Sequence, residues 1–326
     1  MDNVCHTLVG AALAETGLKH RTRYGAVALM IAANIPDVDV MVFATDAPSM
    51  SFRRGWTHGL LAQALLPLAL AGAFLLWDRG RPGVRGLEPG AQSKAARFTW
   101  LTALGYLGVY SHVFLDYLNN YGVRLLNPVD WRWLYGDAVF IIDPWLWVTL
   151  GFGVWLARRR ASSRPALVAL SVAAVYVAGM LALAQDARRY VIGEWEARTG
   201  QPPRALMVGP MPIVPWSREV IVDAGEAYRV GLYTAWPRRL ELSEEIIPKN
   251  DRLEAVAEAR RERPVAGFLV WARFPFWELA ESPDGTLVTV RDVRFRQRVA
   301  GTFHATAVVG EDPKRPRGAR GNQTQD

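Results

Sequence analysis

The sequence predicts an α-helical polytopic membrane domain of about six helices, the first two short, followed by a small α+β extracytoplasmic domain. Two observations predict this. The apolar residues, 51% of the chain, are concentrated before position 185, and the remainder mixes polar residues with β-branched and aromatic ones. We therefore expect a membrane-embedded helical metal-site domain at 1–185, a soluble α+β domain at 186–310 and a disordered tail at 311–326.

Four apolar stretches are long enough to cross a membrane, since a helical span needs about 17 to 25 such residues. They are 59–77, 98–118, 138–157 and 165–184. Two further stretches, 4–18 and 24–35, would reach only about 18 to 23 Å at about 1.5 Å per residue. The basic cluster "KHRTR" between them helps them to span, because Lys and Arg side chains extend toward the interface.

The distribution of Lys and Arg predicts the orientation of these spans. The connections 19–23, 78–97 and 158–164 hold 3, 5 and 4 basic residues, whereas 37–57 and 117–137 hold 2 each. Short basic loops stay on the cytoplasmic side. Both termini, the two less basic loops and everything after 185 are therefore expected outside the cell membrane. The amino terminus lacks the basic leader of a cleavable signal peptide, so we expect its first residues to remain.

The part after 185 has the features of antiparallel hairpins. The stretches 218–236 and 267–295 are rich in β-branched and aromatic residues and contain the turn tetrads "DAGE" and "SPDG". Between them, 250–263 is predicted to be a charged helix. Residues 186–326 include 22 basic and 20 acidic residues, and they contain no glycine-rich phosphate loop. This balance argues against nucleic acid as a partner.

On this topology the aspartates and histidines at membrane depth fall at the outer face. They are Asp2 and His6 in the first stretch, Asp37 and Asp39 after the second, His58 before the third, His112 and Asp116 in the fourth, and Asp137 and Asp143 before the fifth. Ionisable groups at membrane depth are costly and are usually functional or paired. They are therefore predicted to form one polar site at the outer membrane face.

The residue types indicate a divalent metal, with Zn²⁺ favoured and Mn²⁺ as the alternative. A helical His112-x-x-x-Asp116 presents two donors to one ion. The predicted ligands, enough for one or two ions, are His6, Asp37, His58, His112 and Asp116, with Asp2, Asp39 and Asp143 in addition. A bound metal lowers the pKa of water to about 7. Asp39 or Asp143 would act as base or as an orienting residue, and Arg54 would stabilise charge on a phosphoryl group.

Simpler interpretations stand beside this one. Asp143 before Pro144 is also a good helix cap, and Asp137 is expected to pair with Arg132. Arg54, together with its neighbour Arg53, is equally explained as an outer-leaflet anchor. Other residues are assigned structural roles: Cys5, His20, His304 and the Trp residues at 131, 133, 145 and 147.

The order of these motifs resembles the YdjM-type family of inner-membrane metal-dependent hydrolases, often described as LexA-regulated. The motifs are Asp2-x-x-x-His6, Asn34-x-Pro36-Asp37-x-Asp39, Arg54-Gly55-x-Thr57-His58, Ser111-His112-x-x-x-Asp116 and Ile142-Asp143-Pro144. The resemblance covers residues 1 to about 160 and implies a bacterial inner-membrane protein. The ligand order is also similar to zinc-dependent phospholipase C, which implies phosphoester hydrolysis, although the later His and Glu motif of that enzyme is missing here.

The function predicted from these features is metal-dependent hydrolysis of a phosphoester in a lipid or lipid-linked substrate at the outer face of the membrane. A non-catalytic metal-binding transporter or scaffold is the alternative. A transporter would need polar residues through the whole membrane, and the inner halves of these stretches are apolar. A sensor of an envelope signal is a third class, with no residue that distinguishes it.

Overall fold

The structure is a computed structural model that describes residues 1–45, 47–79, 93–296 and 303–310; the predicted tail at 311–326 lies outside the described residues. The amino-terminal half is helical. Its helices are α1 (Asn3–Glu15), α2 (Gly25–Ala32), α3 (Ser49–Phe52), α4 (Leu60–Arg79), α5 (Lys94–Tyr117), α6 (Pro144–Arg159) and α7 (Arg164–Thr199). Two 3-10 helices, Leu18–His20 and Ile35–Ala44, follow α1 and α2.

Local sequence explains where these helices begin. The side chains of Asp2, Ser93 and Asp143 each accept a backbone N–H in the first turn of α1, α5 and α6, which satisfies donors that have no partner within the helix. Proline occupies the first turn of α6 and α7, where its missing N–H is not needed. Asp143 therefore has the capping role that the sequence suggested for it.

Two helices of the described chain are long and apolar enough to cross a membrane: Leu60–Asp78 and Arg164–Thr199. A third candidate is the pair Gly25–Ala32 and Ile35–Ala44, which is bent by 50°. The six predicted spans are thus supported only in part. The stretch predicted at 138–157 is helical only from Pro144 onward, and α1 and α2 are short, as expected.

Glycines let the helices that carry the site approach closely. A Cβ at Gly108 of α5 would lie 2.5 Å from the Ala32 Cβ of α2, and a Cβ at Gly105 would lie 3.1 Å from Pro67 of α4. The first separation is shorter than any real Cβ contact. Glycine is therefore required at 108 for α2 to lie against α5 one turn before His112.

The carboxy-terminal half contains two antiparallel sheets. The first consists of β1 (Ala205–Pro210), β2 (Ser217–Asp223), β3 (Ala227–Ala235) and β4 (Arg238–Pro248), and the second of β5 (Pro275–Ser282), β6 (Gly285–Asp292) and β7 (His304–Val309). Both predicted hairpins are confirmed, with Asp223 paired to Tyr228 and Ser282 to Gly285.

The helix predicted at 250–263 is wrong in its extent. Only α8 (Glu254–Ala259) is helical there, and α9 (Arg263–Leu269) is separate. Pro264 explains the break, because a proline has no N–H and its ring would clash with the carbonyl of Arg260 if α8 continued, whereas both are tolerated in the first turn of α9. Glu262, before α9, is extended with ψ of 134°.

One helix joins the two halves. Helix α7 continues past residue 185, the expected domain boundary, to Thr199. Its last turns place Ala187, Val191 and Trp195 against the first sheet, where Val208 and Val220 complete a buried apolar cluster. The β domain is therefore held directly on the end of a membrane-type helix.

Candidate metal centre

The donor atoms of four predicted ligands meet in one buried cluster. Asp37 lies in the 3-10 helix after α2, His58 precedes α4, and His112 and Asp116 are one turn apart on α5. One ligand atom of each residue lies within 4.8 Å of the others, and all four residues are buried. Two aspartates and two histidines from three separate segments are thus brought to a single point.

The tightest part of the cluster is a triangle of three atoms. The Nε2 atoms of His58 and His112 are 3.1 Å apart, and Asp116 Oδ2 lies 3.2 Å from the first and 3.5 Å from the second. Asp37 Oδ1 is further away, at 3.8 and 3.9 Å from the same two nitrogens.

The neighbours of the two rings determine which nitrogens carry protons. His112 Nδ1 lies 2.8 Å from the carbonyl oxygen of Ala33, which can only accept, so Nδ1 is the protonated nitrogen. His58 Nδ1 faces Thr57 Oγ1 at 2.9 Å and the Asp39 carboxylate at 3.5 Å. With a proton on each Nδ1, the Nε2 atoms of the two rings point at each other and at a carboxylate.

Such an arrangement of acceptors fits a cation. Within the described chain, Asp37 Oδ1 and Asp116 Oδ2 are buried and accept no hydrogen bond, and buried acceptors without a donor are unfavourable. A tetrahedral zinc with bonds of about 2.0–2.1 Å holds neighbouring nitrogens about 3.3 Å apart, close to the 3.1 Å between His58 and His112. Imidazole and carboxylate donors also suit this class of metal.

Asp39 lies behind His58 and does not belong to the four donors. Its Oδ2 accepts from Thr57 Oγ1 at 3.0 Å and from the backbone N–H of Arg54 at 2.7 Å. A carboxylate on the far side of a ligating histidine fixes the orientation of the ring and raises its basicity. Of the two roles expected for Asp39, its position suits that of an orienting residue.

Arg54 is directed inward and is fully buried. Its Nη2 lies 3.0 Å from Asp116 Oδ1 and its Nη1 donates to Asn119 Oδ1 at 3.2 Å. The guanidinium also lies over the ring of Tyr121, 4.6 Å from the centroid. Arg54 therefore balances the charge of the oxygen of Asp116 that faces away from the two Nε2 atoms.

The backbone at Arg54 is strained, with a φ of +51° in the left-handed region. Two contacts hold this conformation: the N–H donates to Asp39, and the carbonyl oxygen accepts from the N–H of Arg124 at 3.0 Å. Strain of this kind persists only where the surroundings fix it, and it is concentrated at functional sites.

The other predicted site residues lie at the edge of the cluster or outside it. His6 stacks on His112, with 3.8 Å between the ring centroids. Its Nε2 lies 3.3 Å from Asp116 Oδ1. The α-amino group of Met1 contacts the same oxygen. Asp2 caps α1 and accepts from Trp147 Nε1 at 3.1 Å.

Two further aspartates, Asp143 and Asp137, belong to structural contacts. Asp143 caps α6 and accepts from the hydroxyl of Tyr176 at 2.8 Å. The expected pair between Asp137 and Arg132 is wrong. Asp137 pairs with Arg273 of the β domain at 2.8 Å, whereas Arg132 is held by Asp130, two residues before it.

The sequence reasoning missed the turn after α5, which connects the site to the β domain. Trp271 Nε1 donates to the carbonyl oxygen of Tyr121 at 3.0 Å, and Arg294 Nη1 donates to that of Asn120 at 2.7 Å. Asn119 and Tyr121 in turn hold Arg54. The string "NNYG" at 119–122 was the available signal, since Asn and Gly mark turns.

An ion pair fixes Arg294 in this contact. Its guanidinium lies 2.8 Å from Asp292, and both side chains are fully buried. Burial by itself raises the pKa of Asp292, but the charge of Arg294 and its hydrogen bonds outweigh burial, so the pKa is lowered from its usual value. The pair is therefore charged at neutral pH.

The helical half of the chain matches a known family. The model of the YdjM inner membrane protein family matches residues 1–186. The chain is also 23% identical over 335 residues to the uncharacterized protein YfhP of Bacillus subtilis (strain 168), across 96% of this chain and 92% of that protein. No solved structure matches. Because the family model covers more than half of the sequence and includes every residue of the cluster, the chain belongs to the YdjM inner membrane protein family.

Proposed function

We propose that this protein is a membrane-bound metal-dependent hydrolase that cleaves a phosphoester in a lipid or lipid-linked substrate at the outer face of the bacterial inner membrane. The observation that carries the proposal is the cluster of Asp37, His58, His112 and Asp116, in which Asp37 Oδ1 and Asp116 Oδ2 are buried and have no hydrogen-bond donor among the described residues. A zinc or manganese ion held there would supply a Lewis acid and a nucleophilic hydroxide at neutral pH.

The residues around the cluster have separable roles in this proposal. His58 and His112 bind through Nε2 because Asp39 and the Ala33 carbonyl engage their other nitrogens. Arg54 holds Asp116 in place. Burial of these groups excludes water from the polar contacts and strengthens them.

The depth of the cluster supports a substrate at the membrane surface. A second set of charges, Asp78 with Arg97 and Glu15 with Arg158, lies at the opposite end of the helices. Arg97 and His112 are 15 residues apart on α5, which is about 22 Å along a helix. Set against a hydrocarbon layer about 30 Å thick, this separation supports a cluster near the edge of the layer opposite Arg97.

The residues between these two ends favour surface chemistry over transport. The buried positions of α5 in this interval are Leu101, Leu104, Gly105, Gly108 and Val109. A transporter places polar groups near the midplane, where its substrate pauses. In the described part of α5, the buried polar positions are His112 and Asp116, at one end only.

The proposal is tested with protein purified in detergent and loaded with zinc or manganese. It is incubated with phospholipids that carry different headgroups, and the products are followed by mass spectrometry. We expect cleavage at a phosphoester bond that His112→Ala abolishes and His304→Ala leaves unchanged. A metal-loaded protein that cleaves no phospholipid and no lipid-linked phosphoester would contradict the proposed substrate class. Protein that binds neither metal would contradict the hydrolase.

A further inference from the structure

The two adjacent arginines at the site differ in their surroundings. Arg54 is enclosed and directed at Asp116, as described above. The side chain of Arg53 is 22% exposed and reaches the cluster from outside, with Nη2 3.8 Å from Asp37 Oδ1 and Nε 3.5 Å from Asp39 Oδ1. Because Arg54 has a left-handed φ, the backbone turns here and the two side chains point in different directions.

The guanidinium of Arg53 has unused donor capacity. Both of its carboxylate contacts are too long for direct hydrogen bonds, and Nε has no hydrogen-bond partner in the described part of the chain. An arginine has five N–H donors in a planar fork, suited to two oxygens of one phosphate. Arg53 thus presents a partly exposed cation 3.8 Å from an oxygen of the buried donor cluster.

Metal binding would weaken the attraction between the guanidinium of Arg53 and the carboxylate of Asp37. Asp37 Oδ1, one of its two contacts, is also the atom that Asp37 offers to the cluster. A carboxylate oxygen that neutralises a divalent cation attracts a neighbouring guanidinium less strongly. The same cation attracts anions. The loaded site therefore favours an anionic ligand that bridges the metal and Arg53.

The surroundings of Arg53 indicate that this anion arrives on a membrane molecule. The guanidinium lies over the ring of Phe43, 5.5 Å from its centroid, and Phe43 is 54% exposed. Met41, on the same 3-10 helix as Asp37, is 69% exposed, and Trp56 is 47% exposed. Apolar and aromatic side chains beside a cation are typical of a headgroup-level contact.

We propose that Arg53 binds the phosphate of a membrane-borne substrate at the entrance to the metal site, with Phe43 and Met41 against its apolar chains. This inference rests on the proposed function and assigns the substrate contact to Arg53. Arg54, the residue that the sequence suggested for this contact, instead holds Asp116.

The first experiment measures chemical modification and needs no turnover. Zinc-loaded protein in maltoside micelles is treated with phenylglyoxal, which modifies exposed guanidinium groups, and modification at each arginine is quantified by peptide mass spectrometry. We expect Arg53 to react faster than Arg54, because the side chain of Arg53 is 22% exposed and that of Arg54 is 4% exposed. Phosphatidylglycerol in the micelles should slow the reaction at Arg53 by about tenfold, the effect of one charge-assisted hydrogen bond. Diacylglycerol, with the same chains and no phosphate, should not.

Three results would overturn the inference. They are equal protection by diacylglycerol, protection that persists in metal-free His112→Ala protein, and protection by inorganic phosphate but not by phosphatidylglycerol. The last would show that the anion is soluble. Arg132, an exposed surface residue paired with Asp130, is the internal control and should react equally under all conditions.

The second experiment uses variants. Arg53→Gln should retain its zinc and raise KM for the phosphoester about tenfold or more, with a smaller change in kcat, and Arg53→Lys should restore part of the loss. Arg132→Gln should change neither constant. Normal KM in Arg53→Gln would overturn the inference while leaving the hydrolase intact. Lipid protection of Arg53 without any hydrolysis would instead support the anion site and count against the proposed function.

Discussion

The Nε2 atoms of His58 and His112 lie 3.1 Å apart, although the residues are 54 positions apart in the sequence. The Nδ1 atom of His58 lies near the Asp39 carboxylate, and the Nδ1 atom of His112 lies near the carbonyl oxygen of Ala33. Two lone pairs at this distance repel unless a proton or a cation lies between them.

Metal content should depend on His112. Because four donors converge at one point, purified protein should bind one zinc or manganese ion tightly, and His112→Ala should lose most of it. His304→Ala, in strand β7, is the matched control. Elemental analysis after zinc loading checks both. A second ion with His6 as a ligand stays a prediction. If it binds, His6→Ala should lower the number of ions per protein from two to one.

Asp39→Asn should weaken the metal without removing a ligand. The change abolishes the charge that orients His58, and loss of such a partner typically costs about 10- to 100-fold in metal affinity. Asp116→Asn should cost more, since Asp116 is one of the four donors. Competition with a chelating dye measures both. Unchanged affinity in Asp39→Asn would show that Asp39 does not orient the ring.

Asp137→Asn should leave the metal unaffected and weaken the attachment of the β domain. Asp137 pairs with Arg273, and its φ is +48°, a conformation that Asn also tolerates. We expect a loss of about 1 to 3 kcal/mol in the free energy of unfolding. Thermal unfolding and zinc content are measured together. Loss of zinc would place Asp137 in the site.

The ion pair of Asp292 and Arg294 should make the β domain sensitive to acid. Because the pKa of Asp292 is lowered on folding, its stabilising effect is complete above the unfolded value of about 3.9 and is lost as pH falls through the lower folded value. Asp292→Asn should be less stable at neutral pH, by about 3 to 5 kcal/mol, and should lose less stability below pH 4. Asp251→Asn, in the exposed turn after β4, should behave like the parent protein in circular dichroism at each pH.

Topology can be tested by labelling single cysteines in a Cys5→Ser background. Cysteines at Ser49 and Asp284 should react with an impermeant thiol reagent in intact cells with a permeable outer envelope, and a cysteine at Ser162 should react only after lysis. All four donors must lie at one depth, and the wrong side would displace a ligand by about 30 Å. Labelling of Ser49 and of a cysteine at Asn120 from opposite sides would exclude a common site.

The sequence by itself determined the features that depend on neighbours a few residues away. It identified the cap at Asp143, the two hairpin turns and the i, i+4 pair of His112 and Asp116, because capping, turn formation and helical spacing are local. Residue type and expected depth also identified the donors Asp37 and His58. The count of six spans went further than the helices of the structure support.

Only the tertiary structure decided which of these donors share one point. The approach of α2 to α5 at Gly108 brings Ala33 to His112, and no periodicity within one helix encodes that distance. The same holds for the partner of Asp137, which lies 136 residues away. It holds also for the different environments of Arg53 and Arg54, because burial and ion pairing depend on segments that meet only when the chain packs.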